Sequence, residues 1–197
     1  YRAKQRGRDT YHLFDSTHDL LLQVRHEQRQ RFMDALKHGE LRLFYQPQVD
    51  MRSGQVVGVE ALIRWQHPER GLLSPGQFLS TIDATPLEVD LGEWVLEHAL
   101  QQLTQWQNDG IEMPINVNIS PTHLLVSNFS QRLAELLARY PTVSPSLLKL
   151  EVLESAAMHD VKAALKNMAS CQALGVSFAI GGKIPNASAV NMIIFLG

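Results

Sequence analysis

Ile115-Asn116-Val117-Asn118-Ile119 alternates aliphatic and amide side chains with a period of two, the pattern of a strand that buries one face. Downstream, Asn128 can cap a helix carrying Leu133, Leu136, Leu137 and Tyr140, and Leu148 to Leu153 reads as a second strand. Val161 to Leu174 follows as a helix with Ala164, Leu165, Met168 and Cys171 on one stripe, ended by Gly175, and Val176 to Ile180 is again a strand. Strands alternating with helices imply right-handed βαβ units and a largely parallel sheet. A doubly wound sheet and a barrel both satisfy that order.

Upstream of this run the pattern is different. Leu41 to Gln46 and Val56 to Leu62 are strand-like and joined by a turn at Arg52-Ser53-Gly54, which predicts an antiparallel start. Pro75 can open a short helix, and a longer one from about Leu87 to Gln107 should bury Leu91, Trp94, Val95, Leu103 and Trp106 before stopping at Asp109-Gly110. Before Leu41, Ser16 is a candidate N-cap with Asp19 in the first turn, and Leu21, Val24, Phe32, Ala35 and Leu36 recur at roughly helical spacing up to His38-Gly39. Residues 16–40 are therefore expected to form a connecting helix.

Composition narrows the function classes. The 197 residues hold 18 Lys+Arg against 20 Asp+Glu, a net charge of -2, which argues against a duplex nucleic-acid binder with its need for a basic face. A hydrophobic share of 45% with 19% charged residues excludes disorder by composition. No apolar run reaches the ~18 residues of a membrane span, and Tyr1-Arg2-Ala3-Lys4 is no signal peptide, so a soluble, cytoplasmic chain is expected. Cys171 is alone, which removes disulfides and Cys-based metal clusters; it reads as a small core residue. The His residues show no paired ligand spacing, His98 and His159 being expected at the surface or as caps. Trp65, Trp94 and Trp106 are expected to pack rather than to stack on bases.

Polar residues inside the strands favour the barrel. Glu60 interrupts Val56-Val57-Gly58-Val59-Glu60-Ala61-Leu62, Asn118 lies in the strand quoted first, and Glu151 and Glu154 interrupt Leu148-Lys149-Leu150-Glu151-Val152-Leu153-Glu154. A carboxylate in an apolar strand costs several kcal/mol unless it is paired. Three such placements near strand ends suggest one oxygen-rich site, of the kind that assembles at the C-terminal mouth of a parallel barrel. Oxygen donors suit Mg²⁺, Mn²⁺ or Ca²⁺ rather than zinc. Each residue also has a plain alternative: Glu151 facing solvent, Asn118 a satisfied core amide, Arg64 paired with Glu69.

Longer strings carry a resemblance. Phe44-Tyr45-Gln46-Pro47-Gln48-Val49-Asp50 precedes Val59-Glu60-Ala61-Leu62-Ile63-Arg64-Trp65-Gln66-His67-Pro68, and Gly71-Leu72-Leu73-Ser74-Pro75-Gly76-Gln77-Phe78 follows it. Val117-Asn118-Ile119-Ser120 and Leu150-Glu151-Val152-Leu153-Glu154-Ser155 come later, in the same order. From about Leu41 to Ile180 the chain resembles the EAL-domain family of bacterial cyclic di-GMP phosphodiesterases. Residues 1–15 resemble the end of a GGDEF diguanylate cyclase domain. The resemblance implies an α/β fold, a TIM-like barrel with an antiparallel first strand, and metal-dependent hydrolysis of cyclic di-GMP to linear pGpG. It implies Glu60, Asn118 and Glu151 as ligands of Mg²⁺ or Mn²⁺, Gln46, Leu62 and Arg64 as substrate contacts with Arg64 on a phosphate, and Glu154 as a support of the site's loop.

The match departs from the family after Ile180. Where the family carries an Asp-Asp pair, the chain reads Gly181-Gly182-Lys183-Ile184-Pro185-Asn186, so two carboxylates are lost and a cation is added. Residues 181–197 are expected to be a divergent tail after a partial EAL domain over 41–180, and the 157 residues from Leu41 to Gly197, with five strands, fall short of the ~250 residues of a typical barrel. An incomplete barrel is expected to expose two strand edges and an apolar interior, inviting self-association. The abrupt departure suggests a truncated or frame-disrupted product. Three functions follow: a phosphodiesterase, disfavoured by the lost carboxylates; a degenerate module that binds cyclic di-GMP, weakly, or a protein partner without turnover; and an inert fragment.

Overall fold

The structure, a computed structural model, describes residues 16–153 and 160–181. In chain order they form α1 (Ser16–Lys37), β1 (Leu41–Val49), β2 (Val56–His67), β3 (Gly71–Leu73), α2 (Leu79–Ile82), α3 (Pro86–Asn108), β4 (Ile115–Ile119), α4 (Pro121–Leu124), α5 (Phe129–Ala138), β5 (Leu148–Leu153), α6 (Val161–Ala173) and β6 (Ser177–Gly181), with single 3₁₀ turns at Pro75–Gln77 and Pro145–Leu147. The sheet order is β1-β2-β4-β5-β6, with β3 paired to β2. β1 and β2 are antiparallel, and β2, β4, β5 and β6 run parallel, as the sequence pattern predicts. This is an unclosed TIM-like arrangement.

The hairpin between β1 and β2 is set by Asp50, whose Oδ1 accepts from the backbone N–H groups of Arg52 at 2.7 Å and Ser53 at 3.1 Å. Gly54 then adopts φ +69°, a conformation that favours glycine. Both strands outrun their expected ends. β1 continues through Pro47 to Val49, which a proline permits because β1 is an edge strand. β2 continues from Leu62 to His67 because Trp65, Gln66 and His67 pair with the three-residue β3, an element too short to leave a pattern in the sequence.

Period-two alternation gives the sheet two unlike faces. Leu41, Tyr45, Val59, Ala61, Trp65, Ile115, Val117, Ile119, Leu148, Leu150 and Val152 are buried on one of them, in a single core with helix residues such as Leu96, Leu100, Leu133, Leu136, Ala164 and Cys171. The other face carries Gln46, Gln48, Glu60, Arg64, Asn116, Asn118, Lys149, Glu151 and Ser177, with Phe44 and Leu62 among them. The expectation of an apolar interior is thus corrected: on the described strands this face is chiefly polar, because the period that buries one aliphatic row leaves the amides and charges on the other side.

Among the described side chains, helix α1 docks through its second half. Phe32 is fully buried and meets Trp65 edge-on at 5.5 Å and Phe78 at 5.7 Å, a burial worth about 1.5–3 kcal/mol. Glu40 locks the junction, accepting from Arg31 at 2.6 Å and from Trp65 Nε1 at 2.8 Å. Leu21 and Val24, expected on the apolar stripe, are exposed, because the packed contacts begin a turn or more further on. Leu165 is likewise exposed, and the buried row of α6 is Ala164, Asn167 and Cys171. Asn167 takes its place there by donating Nδ2 to the carbonyls of Leu124 at 2.7 Å and Val126 at 3.1 Å. Tyr140 lies beyond the end of α5. Trp65, Trp106 and Cys171 are core residues as expected, Trp94 is half-buried, and His98 stacks on Trp94 at 3.8 Å.

Candidate functional site

The register places the expected site residues on one face. Gln46 is the direct partner of Glu60 across the antiparallel pair, and Glu60 is the partner of Asn116 on β4. Asn118, two residues along β4, pairs with Glu151 on β5, and Glu151 pairs with Ala179 on β6. Leu62 and Arg64 continue the same face of β2, opposite Phe44 and Arg42. Six residues separated by up to about a hundred positions therefore share one patch of sheet because each sits at the same parity of its strand.

Contacts within the patch are specific. Asn118 Nδ2 donates to Glu60 Oε1 at 2.8 Å, so the amide is neither a satisfied core group nor idle: its side chain is solvent-exposed and turned to the carboxylate. Burial, and after it the negative charge of Glu60, pushes the Glu151 carboxyl above its ordinary range. Two carboxylates that repel each other beside an amide oxygen are what a hard divalent cation requires, and its charge would cancel that repulsion. Among the described residues no three His, Cys, Asp or Glu side chains group to hold a metal without an amide. The donor set fits Mg²⁺ or Mn²⁺ in kind.

Arg64 has no ion pair with Glu69. Its Nη1 donates to the Ile63 carbonyl at 2.8 Å, and its guanidinium lies over the Phe44 ring at 5.6 Å. Gly181 ends β6 as the partner of Leu153, two residues past Ala179 and so on the same face, where glycine has no side chain to offer the patch. Glu154, Gly182 and Lys183 lie outside the described residues.

Sequence reasoning missed the layer beneath. Asn116 is buried and donates Nδ2 to Gln48 Oε1 at 3.0 Å, and Lys149 and Ser177 are the next partners in register. The signal was there in the parity of Asn116 with Asn118 and of Gln48 with Gln46.

The comparisons agree with this fold. The chain matches the EAL domain family over residues 29–190. It is 40% identical over 91% of its length to a Pseudomonas aeruginosa protein named as the bifunctional diguanylate cyclase/cyclic di-GMP phosphodiesterase MucR, and covers 26% of that protein. A second Pseudomonas aeruginosa protein, named as a cyclic di-GMP phosphodiesterase, is 36% identical over 70% of this chain, which covers 23% of it. Among solved structures, the PaMucR phosphodiesterase in complex with c-di-GMP superposes with a TM-score of 0.75 at 37% identity, over 83% of this chain and 66% of that one. An EAL enzyme bound to cAMP and cyclic di-GMP gives 0.74 at 26% identity, over 86% and 47%.

A mixed α/β sheet with an antiparallel first pair, parallel strands after it and acidic and amide side chains gathered on one face defines the class: an α/β domain of TIM-like, unclosed arrangement. This chain belongs to the EAL domain family of cyclic di-GMP signalling. It spans about a quarter of the length of the two curated relatives described. No described helix is long and apolar enough to cross a membrane.

Proposed function

We propose that this chain binds cyclic di-GMP on the polar face of its sheet without hydrolysing it. The observation that carries this is the pairing of a preserved ligand patch with a bare strand end: Gln46, Leu62, Arg64, Glu60, Asn118 and Glu151 share the face, while β6 closes on Gly181. By the family resemblance, Gly181 and Gly182 stand where two carboxylates would add metal contacts, and Lys183 brings a positive charge next to them. Two-metal hydrolysis needs both ions clamped.

The chain's own residues would do the following. Glu60, held by Asn118, and Glu151 would hold Mg²⁺ or Mn²⁺ with the Asn118 amide oxygen. When bound, such an ion neutralises phosphate charge and acidifies its water. Arg64, flattened against Phe44, would donate to a phosphate oxygen. Leu62 would supply apolar wall, and Gln46, beside Glu60, an amide for the nucleotide. Glu154, by the family resemblance, would support the geometry of the site.

Titration calorimetry with cyclic di-GMP, with and without Mg²⁺, tests the binding, and chromatography of the same mixtures with Mn²⁺ tests turnover. Saturable binding with no pGpG is expected. Metal-dependent release of pGpG would make the chain a phosphodiesterase, and no heat of binding would leave it without the ligand.

A further inference from the structure

Arg64 is held by two contacts that leave its charge uncompensated. Its Nη1 donates to the Ile63 carbonyl at 2.8 Å, and its guanidinium carbon lies 5.6 Å from the centre of the Phe44 ring. None of the four ion pairs among the described residues involves it. Phe44 reaches it on the diagonal of the β1–β2 ladder: Phe44 faces Leu62 directly, and Arg64 stands two residues further along β2 on the same side of the sheet. Diagonal neighbours are about 7–8 Å apart, within reach of an aromatic ring and a long side chain. Arg42, directly opposite Arg64, turns instead to the carbonyls of Gly39 at 2.5 Å and Leu41 at 2.7 Å.

The kind of partner matters. A carboxylate would hold a guanidinium firmly, but it would cancel the charge and occupy the donor fork. An aromatic face attracts the cation through its quadrupole and leaves the charge in place. Fixing a long side chain before a ligand arrives also removes an ordering cost from the binding step. We propose that Phe44 is a positioning residue of the ligand patch: its ring orders the Arg64 guanidinium ahead of binding without neutralising it. The proposal rests on the binding function given above and extends it to a residue on β1 that acts through Arg64.

The test compares the parent chain with Phe44→Leu, Phe44→Tyr, Arg64→Gln and the Phe44→Leu/Arg64→Gln pair. One readout needs no ligand: the NMR signal of the Arg64 Nε–H, identified by its loss in Arg64→Gln. It is expected to be ring-shifted and ordered in the parent and in Phe44→Tyr, and mobile in Phe44→Leu. The other is titration calorimetry with cyclic di-GMP. Phe44→Leu is expected to weaken binding about 2- to 10-fold and Phe44→Tyr to keep most of it, with no further loss from Phe44→Leu in the Arg64→Gln background. Stepwise fluorination of the Phe44 ring keeps its shape and drains its negative face, so it should loosen Arg64 and weaken binding step by step, and it reads the same role if Phe44→Leu fails to fold. An Arg64 signal indifferent to the ring, or an equal loss from Phe44→Leu with and without Arg64, would overturn the role and leave the binding function standing. A parent that binds no cyclic di-GMP while Phe44 still orders Arg64 would remove the binding function and leave the hold in place; neither binding nor ordering overturns both.

Discussion

Gly92 on α3 lies directly beneath the His123 imidazole of α4: a β-carbon at position 92 would stand 2.1 Å from Nδ1 and 2.6 Å from Cε1. His123 is buried, its Nε2 held 3.1 Å from Glu93 Oε1 and its ring edge-on to Phe129 at 4.8 Å, so it has nowhere to retreat. The missing side chain of one helix thus makes room for the ring of another, immediately after the strand that carries Asn118.

Gly92→Ala should therefore destabilise the fold although alanine favours a helix. The overpacking cost of about 1–3 kcal/mol exceeds or matches the ~1 kcal/mol gained in propensity, so a lowered melting temperature is expected. In a double-mutant cycle, His123→Ala should relieve most of the penalty of Gly92→Ala. A melting temperature raised by Gly92→Ala alone would contradict this packing.

Glu93 supplies a pH-dependent strut. Burial works to raise its carboxyl, but the His123 hydrogen bond and the positive charges of Arg132, His123 and Arg139 outweigh it and hold the group below the usual carboxylate range. A depressed carboxyl contributes stability above its unfolded-state value and loses it as pH falls through the folded one. Glu93→Gln should cost about 1–3 kcal/mol at neutral pH. The gap between parent and variant in denaturant midpoint should close in acid; a gap independent of pH would argue against the ionic strut.

Glu151 has the opposite sign. Burial and Glu60 raise its carboxyl, so the folded state gains on protonation and loses stability as pH rises through the raised folded value. Without divalent ions, Glu151→Gln is expected to raise the melting temperature at neutral pH, the difference vanishing in acid. The same variant should abolish any stabilisation by Mn²⁺, which thermal melts with and without the ion would read. A neutral-pH destabilisation would show that the two carboxylates do not oppose each other.

Position 181 can be tested by restoring a donor. Gly181→Asp should tighten Mn²⁺ binding at least ~3-fold by calorimetry, since one more carboxylate strengthens a hard-cation site. An unchanged affinity would place the end of β6 out of reach of Glu60 and Glu151.

Much of this was legible in the residues. The strand-helix alternation after Ile115 and the hairpin at Arg52-Ser53-Gly54 gave the parallel sheet and its antiparallel start, because burial of one aliphatic row leaves a period-two signature. That Glu60, Asn118 and Glu151 share one face follows from polar residues standing at one parity of otherwise apolar strands. Other features left no such trace. β3 is three residues long, and α4 is a single turn opened by Ser120, whose Oγ accepts from the His123 N–H at 3.2 Å. The exposure of Leu165 and Leu21 depends on which neighbours a helix meets, not on its own periodicity. The Arg42–Arg64 opposition needed the register, which a hairpin prediction accurate to a residue or two does not fix.

The polar row on the inner side of the strands has a further consequence. Asn118, Glu60, Lys149 and Glu151 there can be hydrated, which an aliphatic row could not be without cost. The same alternation that fills the helix-facing core thus leaves a wettable surface on the reverse of the sheet.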